Sequence, residues 1–166
     1  MGVFSYFGGS RICTMKSCHI LLFLAIVVSH CALAQRTNPN PVHWDFSIQK
    51  VDPNTFELHM TASIQSGWHI YSQYNEGGPG PATISFKRNH LLFRTSEPRE
   101  IGKPEHIEES LFDARVFAFS ERVDFVQALF RKKDRPTTVS GKVKFIACNG
   151  SLCLPPREEP FAIQID

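Results

Sequence analysis

Long apolar runs are nearly absent from this sequence, and so is any excess of one charge sign in its main part. Only residues 20–28 form an uninterrupted apolar stretch. It falls well short of the roughly 20 residues that a membrane-spanning helix needs. Acidic residues are missing before Asp45, whereas Arg11 and Lys16 precede the apolar stretch, and Ala32-Leu33-Ala34-Gln35 follows it. A basic flank, a short apolar core and a small-x-small site together describe a secretory signal peptide over residues 1–34. Met15 gives that signal an ordinary length, as an alternative start to Met1. Cys31 follows Val28-Ser29-His30, a poor context for lipid attachment. A soluble exported protein is therefore expected, periplasmic or, alternatively, secreted further.

Cleavage after Ala34 removes Arg11 and Lys16. That leaves 16 basic against 16 acidic residues, and the formal charge falls from +2 to zero. A neutral chain offers no electrostatic footprint for nucleic acid or an anionic membrane surface. Cleavage also removes Cys13, Cys18 and Cys31, so that of five cysteines only Cys148 and Cys153 remain. An even count in an oxidising compartment reads as one disulfide.

Residues 35–41 read as a flexible leader, and residues 42–166 as one domain. Val42, Trp44, Phe46 and Ile48 alternate with polar neighbours. After a turn at Asp52-Pro53-Asn54, Phe56, Leu58, Met60, Ala62 and Ile64 do the same. A period of two describes strands with one buried face. Further strands are expected at 83–86, 91–93, 116–119, 123–129, 139–147 and 161–165. The polar stretch 94–114 reads mostly as loop, and Arg131-Lys132-Lys133 as a solvated turn. Short strands, frequent turn signals and no amphipathic helix argue for an all-β domain, an antiparallel two-sheet sandwich.

The cysteines lie in Ala147-Cys148-Asn149-Gly150-Ser151-Leu152-Cys153-Leu154-Pro155-Pro156. Asn-Gly tolerates positive φ and marks a tight turn. A bond across so short a loop is worth about 2 kcal/mol in the chain-entropy treatment, against about 5 kcal/mol for a hundred-residue loop. It is an inefficient staple, and a turn at a domain edge leaves the sulfurs reachable for exchange. Inert hairpin disulfides also exist, and spacing alone does not separate the two. A metal site built on the cysteines with His69 or His43 lacks a second Cys/His pair at recognisable spacing, so no metal is expected.

Three segments together resemble a known family: Gly67-Trp68-His69-Ile70-Tyr71, Gly78-Pro79-Gly80-Pro81-Ala82-Thr83-Ile84-Ser85-Phe86, and residues 143–156 with Cys-x4-Cys-Leu-Pro-Pro. They look like the N-terminal domain of the thiol:disulfide interchange protein DsbD, over roughly residues 42–166. The resemblance implies an immunoglobulin-like sandwich with the cysteines at one end. It implies electron relay between a thioredoxin-like donor and periplasmic oxidoreductases or substrate proteins, a thiol–disulfide oxidoreductase role. No prosthetic group is needed, because the dithiol carries both electrons. By the same resemblance Cys153 forms the mixed disulfide and Cys148 resolves it, while Trp68, His69 and Tyr71 lie beside the pair. Phe112, counted back from Arg122-Val123, matches an aromatic cap over the disulfide. Core packing is the alternative for Trp68 and Tyr71, solvent exposure for His69, and loop anchoring for Phe112. The cysteine spacing differs by one residue from the familiar form, and the reductant is expected in trans. The competing reading is an exported binding module that uses loops 72–81 and 105–114 and keeps a purely structural disulfide.

Overall fold

Period-two alternation passes directly into strands, which are the regular structure of residues 40–166, the part of the chain that the computed structural model describes. The expected signal peptide, and the leader as far as residue 39, lie outside the described residues. Among the described residues no helix is long and apolar enough to cross a membrane.

β1 (Val42–Lys50) and β2 (Thr55–Ile64) form a hairpin in register from Val42 opposite Ile64 to Lys50 opposite Phe56. Its turn is held by Asp52, whose carboxylate accepts from the amides of Asn54 at 2.9 Å and Thr55 at 2.8 Å. β2 then pairs along its length with β9 (Arg122–Arg131), and β5 (Leu92–Arg94) and β6 (Arg99–Gly102) share the far edge of β9. A second sheet has the order β12 (Arg157–Ile165), β10 (Thr137–Phe145), β4 (Thr83–Phe86). These two sheets enclose the core. Trp44 of β1 joins them, its ring centroid 6.0 Å from Phe125 in its own sheet and 5.3 Å from Phe145 in the other. Phe46 and Phe161 meet across the same gap at 5.2 Å. Rings at such separations add specific edge and offset contacts to simple burial.

A third sheet, β11 (Ala147–Cys148), β3 (His69–Tyr71), β8 (Ala114–Phe119), β7 (Glu105–Glu109), was not expected from a two-sheet reading. It arises because the chain leaving β10 exchanges partners at Ile146: Phe145 still faces Arg157 of β12, whereas Ala147 faces Ile70 of β3. Three further differences have local causes. The stretch 94–114 contains β6 and β7, not only loop. Both are short, polar strands whose exposed faces hide the alternation, as edge strands commonly do. β12 begins at Arg157, before Pro160, because it is an edge strand where a missing amide is tolerated. Arg131 is no solvated turn residue. It ends β9 fully buried, its guanidinium 5.0 Å from the Phe56 ring centroid and bonded to Asp134 at 2.5 Å.

Gly141 is required by packing. A β-carbon on Gly141 of β10 would lie 2.7 Å from the Phe161 ring and collide with the carbonyl of Ser85 on β4. Gly141→Ala is therefore expected to destabilise the domain by about 1–3 kcal/mol, the usual range for overpacking. The urea midpoint should fall with an unchanged slope. A variant as stable as the parent would mean that β4 and β12 do not close on β10 as described.

Candidate functional site: a disulfide beside a buried Tyr–Glu–His cluster

The third sheet has two working faces. Ile70 of β3, Ala147 of β11 and Phe119 of β8 point into the main core. Their neighbours one residue along point the other way, because side chains alternate across a strand. Cys148 lies opposite His69, and Tyr71 opposite Ala118. Tyr71, Val116, Ala118 and Cys148 form a second, smaller buried cluster, edged by Ile107, Ala114, Ile146 and Cys153.

The segment after Cys148 folds back immediately. The Asn149 amide donates to the carbonyl of Leu152 at 3.0 Å. The Asn149 side-chain oxygen accepts from the amides of Ser151 at 3.2 Å and Leu152 at 2.9 Å. Gly150 takes the positive φ of 81° that the turn demands. Leu154 then donates to Ala147 at 2.9 Å, which closes the hairpin. The Cα atoms of Cys148 and Cys153 stand 4.1 Å apart and the sulfurs are bonded. The two cysteines are not equivalent: Cys148 is fully buried, Cys153 only partly.

Beside Cys148 lies a polar cluster in an otherwise apolar setting. The Tyr71 hydroxyl donates to a carboxylate oxygen of Glu109 at 2.6 Å. His69 Nε2 is 3.1 Å from the Tyr71 oxygen and 3.3 Å from the same oxygen of Glu109. With the tyrosine proton committed to Glu109, the remaining acceptors make His69 Nε2 a donor to both. Tyr71 and Glu109 are 1% and 2% exposed. Burial, followed by the hydrogen bond to Glu109 and its charge, drives the Tyr71 phenol far above its ordinary range, so it stays protonated. An imidazole nitrogen of His69, a carboxylate oxygen of Glu109 and the Cys148 sulfur all lie within 4.8 Å of one another.

Of the residues the sequence singles out, His69, Tyr71, Cys148 and Cys153 come together here. Trp68 is partly buried against the main core, on the opposite face of the strand from Tyr71. Phe112 stands 46% exposed on the loop joining β7 to β8, where its amide donates to the Glu109 carbonyl at 3.0 Å. Its neighbour Asp113 takes a positive φ of 48°. Leu111 and Leu152 are exposed as well. His43 is on β1, paired with Asp45 at 3.6 Å in solvent. Glu109 is not among the residues the sequence singles out, because it falls in the polar stretch 94–114 that reads mostly as loop. A signal was present: Ile107 and Glu109 alternate, and the hairpin register sets Glu109 opposite Ala114, on the side that carries Val116 and Ala118. The loop 72–81 is also more tightly held than its glycines suggest. Ser72 and the Gln73 amide bond to Glu100, at 2.8 and 2.6 Å, and Asn75 clamps both backbone groups of Phe117. Burial raises the Glu100 carboxyl above its ordinary range, and these bonds partly offset it.

Fold and site define a class: an all-β domain that carries a cysteine pair in a short hairpin, with one sulfur buried among ionisable groups. The family model described as thiol:disulfide interchange protein DsbD, N-terminal, matches residues 34–165, and the chain belongs to that family. Its fold is the all-β antiparallel, immunoglobulin-like one of the DsbD N-terminal domains. The reduced DsbD N-terminal domain from Neisseria meningitidis is similar, with 14% identity and a TM-score of 0.50 over 76% of this chain and 86% of that one. The N-terminal periplasmic domain of ScsB from Proteus mirabilis is similar too, with 13% identity and a TM-score of 0.52, covering 80% of this chain and 49% of that one. At such identities the likeness is one of fold. No individually curated protein matches the chain at a significant level.

The Tyr71–Glu109 bond has a measurable consequence. The folded state holds the phenol proton more tightly than the unfolded chain, where tyrosine ionises near pH ~10. Stability from this group is complete below that pH and is lost as pH rises above it. Tyr71→Phe should lower stability at neutral pH by about 1.5–3 kcal/mol, the range for a hydrogen bond to a charged group. It should also flatten the alkaline loss of stability seen in urea unfolding between about pH 9 and about pH 11. Parallel pH profiles for parent and variant would contradict the assigned geometry.

Proposed function

We propose that the chain is a periplasmic thiol–disulfide interchange domain that relays two electrons through Cys148–Cys153 between thioredoxin-like partners, exported by the signal peptide at residues 1–34. The observation that carries this reading is the asymmetry of the pair: one cysteine partly exposed at a hairpin edge, the other buried beside Glu109 and His69. Membership of the DsbD N-terminal family supports it.

In the reducing direction a partner thiolate attacks the Cys153 sulfur in line with the disulfide. A bond forms between the partner and Cys153, the Cys148–Cys153 bond breaks, and Cys148 leaves as a thiolate. A second thiolate of the partner then attacks its own sulfur in the mixed disulfide and releases Cys153. The partner ends oxidised and this domain ends as a dithiol. The Cys148 thiolate forms in a buried site next to a carboxylate, a costly place for a second negative charge. The proton it takes up comes through the His69–Glu109 pair. Tyr71, held as a phenol, keeps Glu109 in position and does not supply that proton. No prosthetic group enters. Trp68 contributes by fixing the start of β3 against the core. Phe112, exposed on the loop between β7 and β8, serves as the apolar cap that partners displace.

Trapping tests the assignment. Cys148→Ser should leave Cys153 free to form a stable mixed disulfide with a thioredoxin-like partner. Cys153→Ser should form little or none, since the remaining sulfur is buried. Equal trapping by both variants would remove the assigned roles, and no trapping by either would favour a structural disulfide. For the cap, Phe112→Ala should speed reduction of the disulfide by dithiothreitol several-fold at unchanged thermal stability. An unchanged rate would leave Phe112 as a loop residue only.

A further inference from the structure

The reduced site contains more ligand chemistry than exchange requires. Removing the disulfide bond frees two sulfur ligands separated by four residues, within the spacing used by thiolate pairs that bind zinc. His69 and Glu109 already face Cys148, with all three ligand atoms inside 4.8 Å. Tetrahedral zinc has bonds of about 2.0–2.1 Å to nitrogen and oxygen and about 2.3 Å to sulfur, which places neighbouring ligand atoms about 3.3–3.8 Å apart. The His69 Nε2 to Glu109 distance of 3.3 Å already fits one edge of that tetrahedron. The Cys148 sulfur must approach the other two ligand atoms by about 1 Å, and Cys153, outside that group, joins by moving in from its short turn once the bond is open. Glu109 is oriented by the Tyr71 hydroxyl at 2.6 Å, the kind of outer support that fixes a ligating carboxylate.

We propose that the dithiol form of this domain binds one zinc-class divalent cation through Cys148, Cys153, His69 and Glu109, and that the disulfide form does not. The inference rests on the exchange reading, because that exchange supplies the dithiol reductant which opens the pair and is itself oxidised. Binding then involves no electron transfer. Two thiols lose two protons to solvent as two metal–thiolate bonds form, while the His69 proton shifts from Nε2 to Nδ1 so that the neutral imidazole and the carboxylate complete the shell. The cation also offsets the negative charge that two thiolates would bring beside a buried carboxylate. A metal-loaded pair is shielded from attack, so the cation competes with protein partners for the same sulfurs.

The test uses the full chain, reduced with dithiothreitol and desalted without oxygen. Peptide mapping establishes the redox state of Cys148 and Cys153 directly, independently of the three cysteines nearer the N-terminus. Cobalt(II) is added as a spectroscopic probe, followed by zinc in competition with a chromophoric chelator. The expected result is a thiolate-to-cobalt charge-transfer band with tetrahedral d–d bands at one equivalent, displaced by zinc and absent from the oxidised protein and from Cys148→Ser. His69→Ala and Glu109→Gln should each weaken zinc binding by at least about 10-fold, the scale of losing one fixed contact at a metal site. Zinc should also slow alkylation of Cys153 in the parent. If Cys148 and Cys153 map as reduced but no thiolate–cobalt band appears, the metal site is wrong and the exchange reading stands. Wild-type affinity in both His69→Ala and Glu109→Gln would likewise overturn the four-ligand site. A pair that stays oxidised in excess dithiothreitol would overturn both readings together.

Discussion

The pairing of β3 with β11 on one side and β8 on the other is the constraint on which the domain depends. Strand geometry allows each residue of β3 only one face. Ile70 therefore completes the main core between Ala147 and Phe119, while His69 and Tyr71 must face Cys148 and Glu109. A shift of the register by one residue would carry Tyr71 into the core and Ile70 to the disulfide. Core and site are thus specified by one hydrogen-bonded register, and neither can drift without the other. The Phe145–Ala147 crossing, where the chain passes from the second sheet to the third, ties the cysteine hairpin to the same frame.

Within that frame the electrostatics of the site follow from burial. A carboxylate that is 2% exposed is tolerated because two donors, the Tyr71 hydroxyl and His69 Nε2, meet it in an apolar surround. The phenol is held protonated by the same burial and the same carboxylate. The cluster therefore has a fixed donor order, tyrosine and histidine toward glutamate, with the Cys148 sulfur beside it. Charge appearing on that sulfur is felt at once by Glu109 and His69. Charge on Cys153 forms nearer to water. This difference, more than the short loop between the cysteines, gives the two thiols separate chemistry.

Much of the sandwich was legible because its strands bury one face and expose the other. Phe56, Leu58, Met60, Ala62 and Ile64 alternate without a break, and the pairing of β2 with β1 and β9 follows that pattern. Legibility ended where alternation was carried by polar residues. β6 and β7 have too few apolar side chains to register as strands, so Glu109 was hidden in an acidic stretch although it is among the most buried polar groups of the domain. Arg131 misled for the complementary reason. A cation in a basic run suggests solvent, yet its guanidinium lies over Phe56 and its stem is covered by the core. At the cysteines, the Asn149-Gly150 turn was readable residue by residue. The exposure difference between the two sulfurs was not, because it depends on which strand Cys148 joins.

A relay requires Cys148–Cys153 to be a working couple, and the reduction potential of the pair measures that. Equilibrated against glutathione or dithiothreitol buffers, with the two cysteine peptides quantified separately, the pair is predicted to titrate in the range of exchange proteins, roughly −120 to −270 mV. A potential well below about −300 mV would identify a structural staple and contradict the relay.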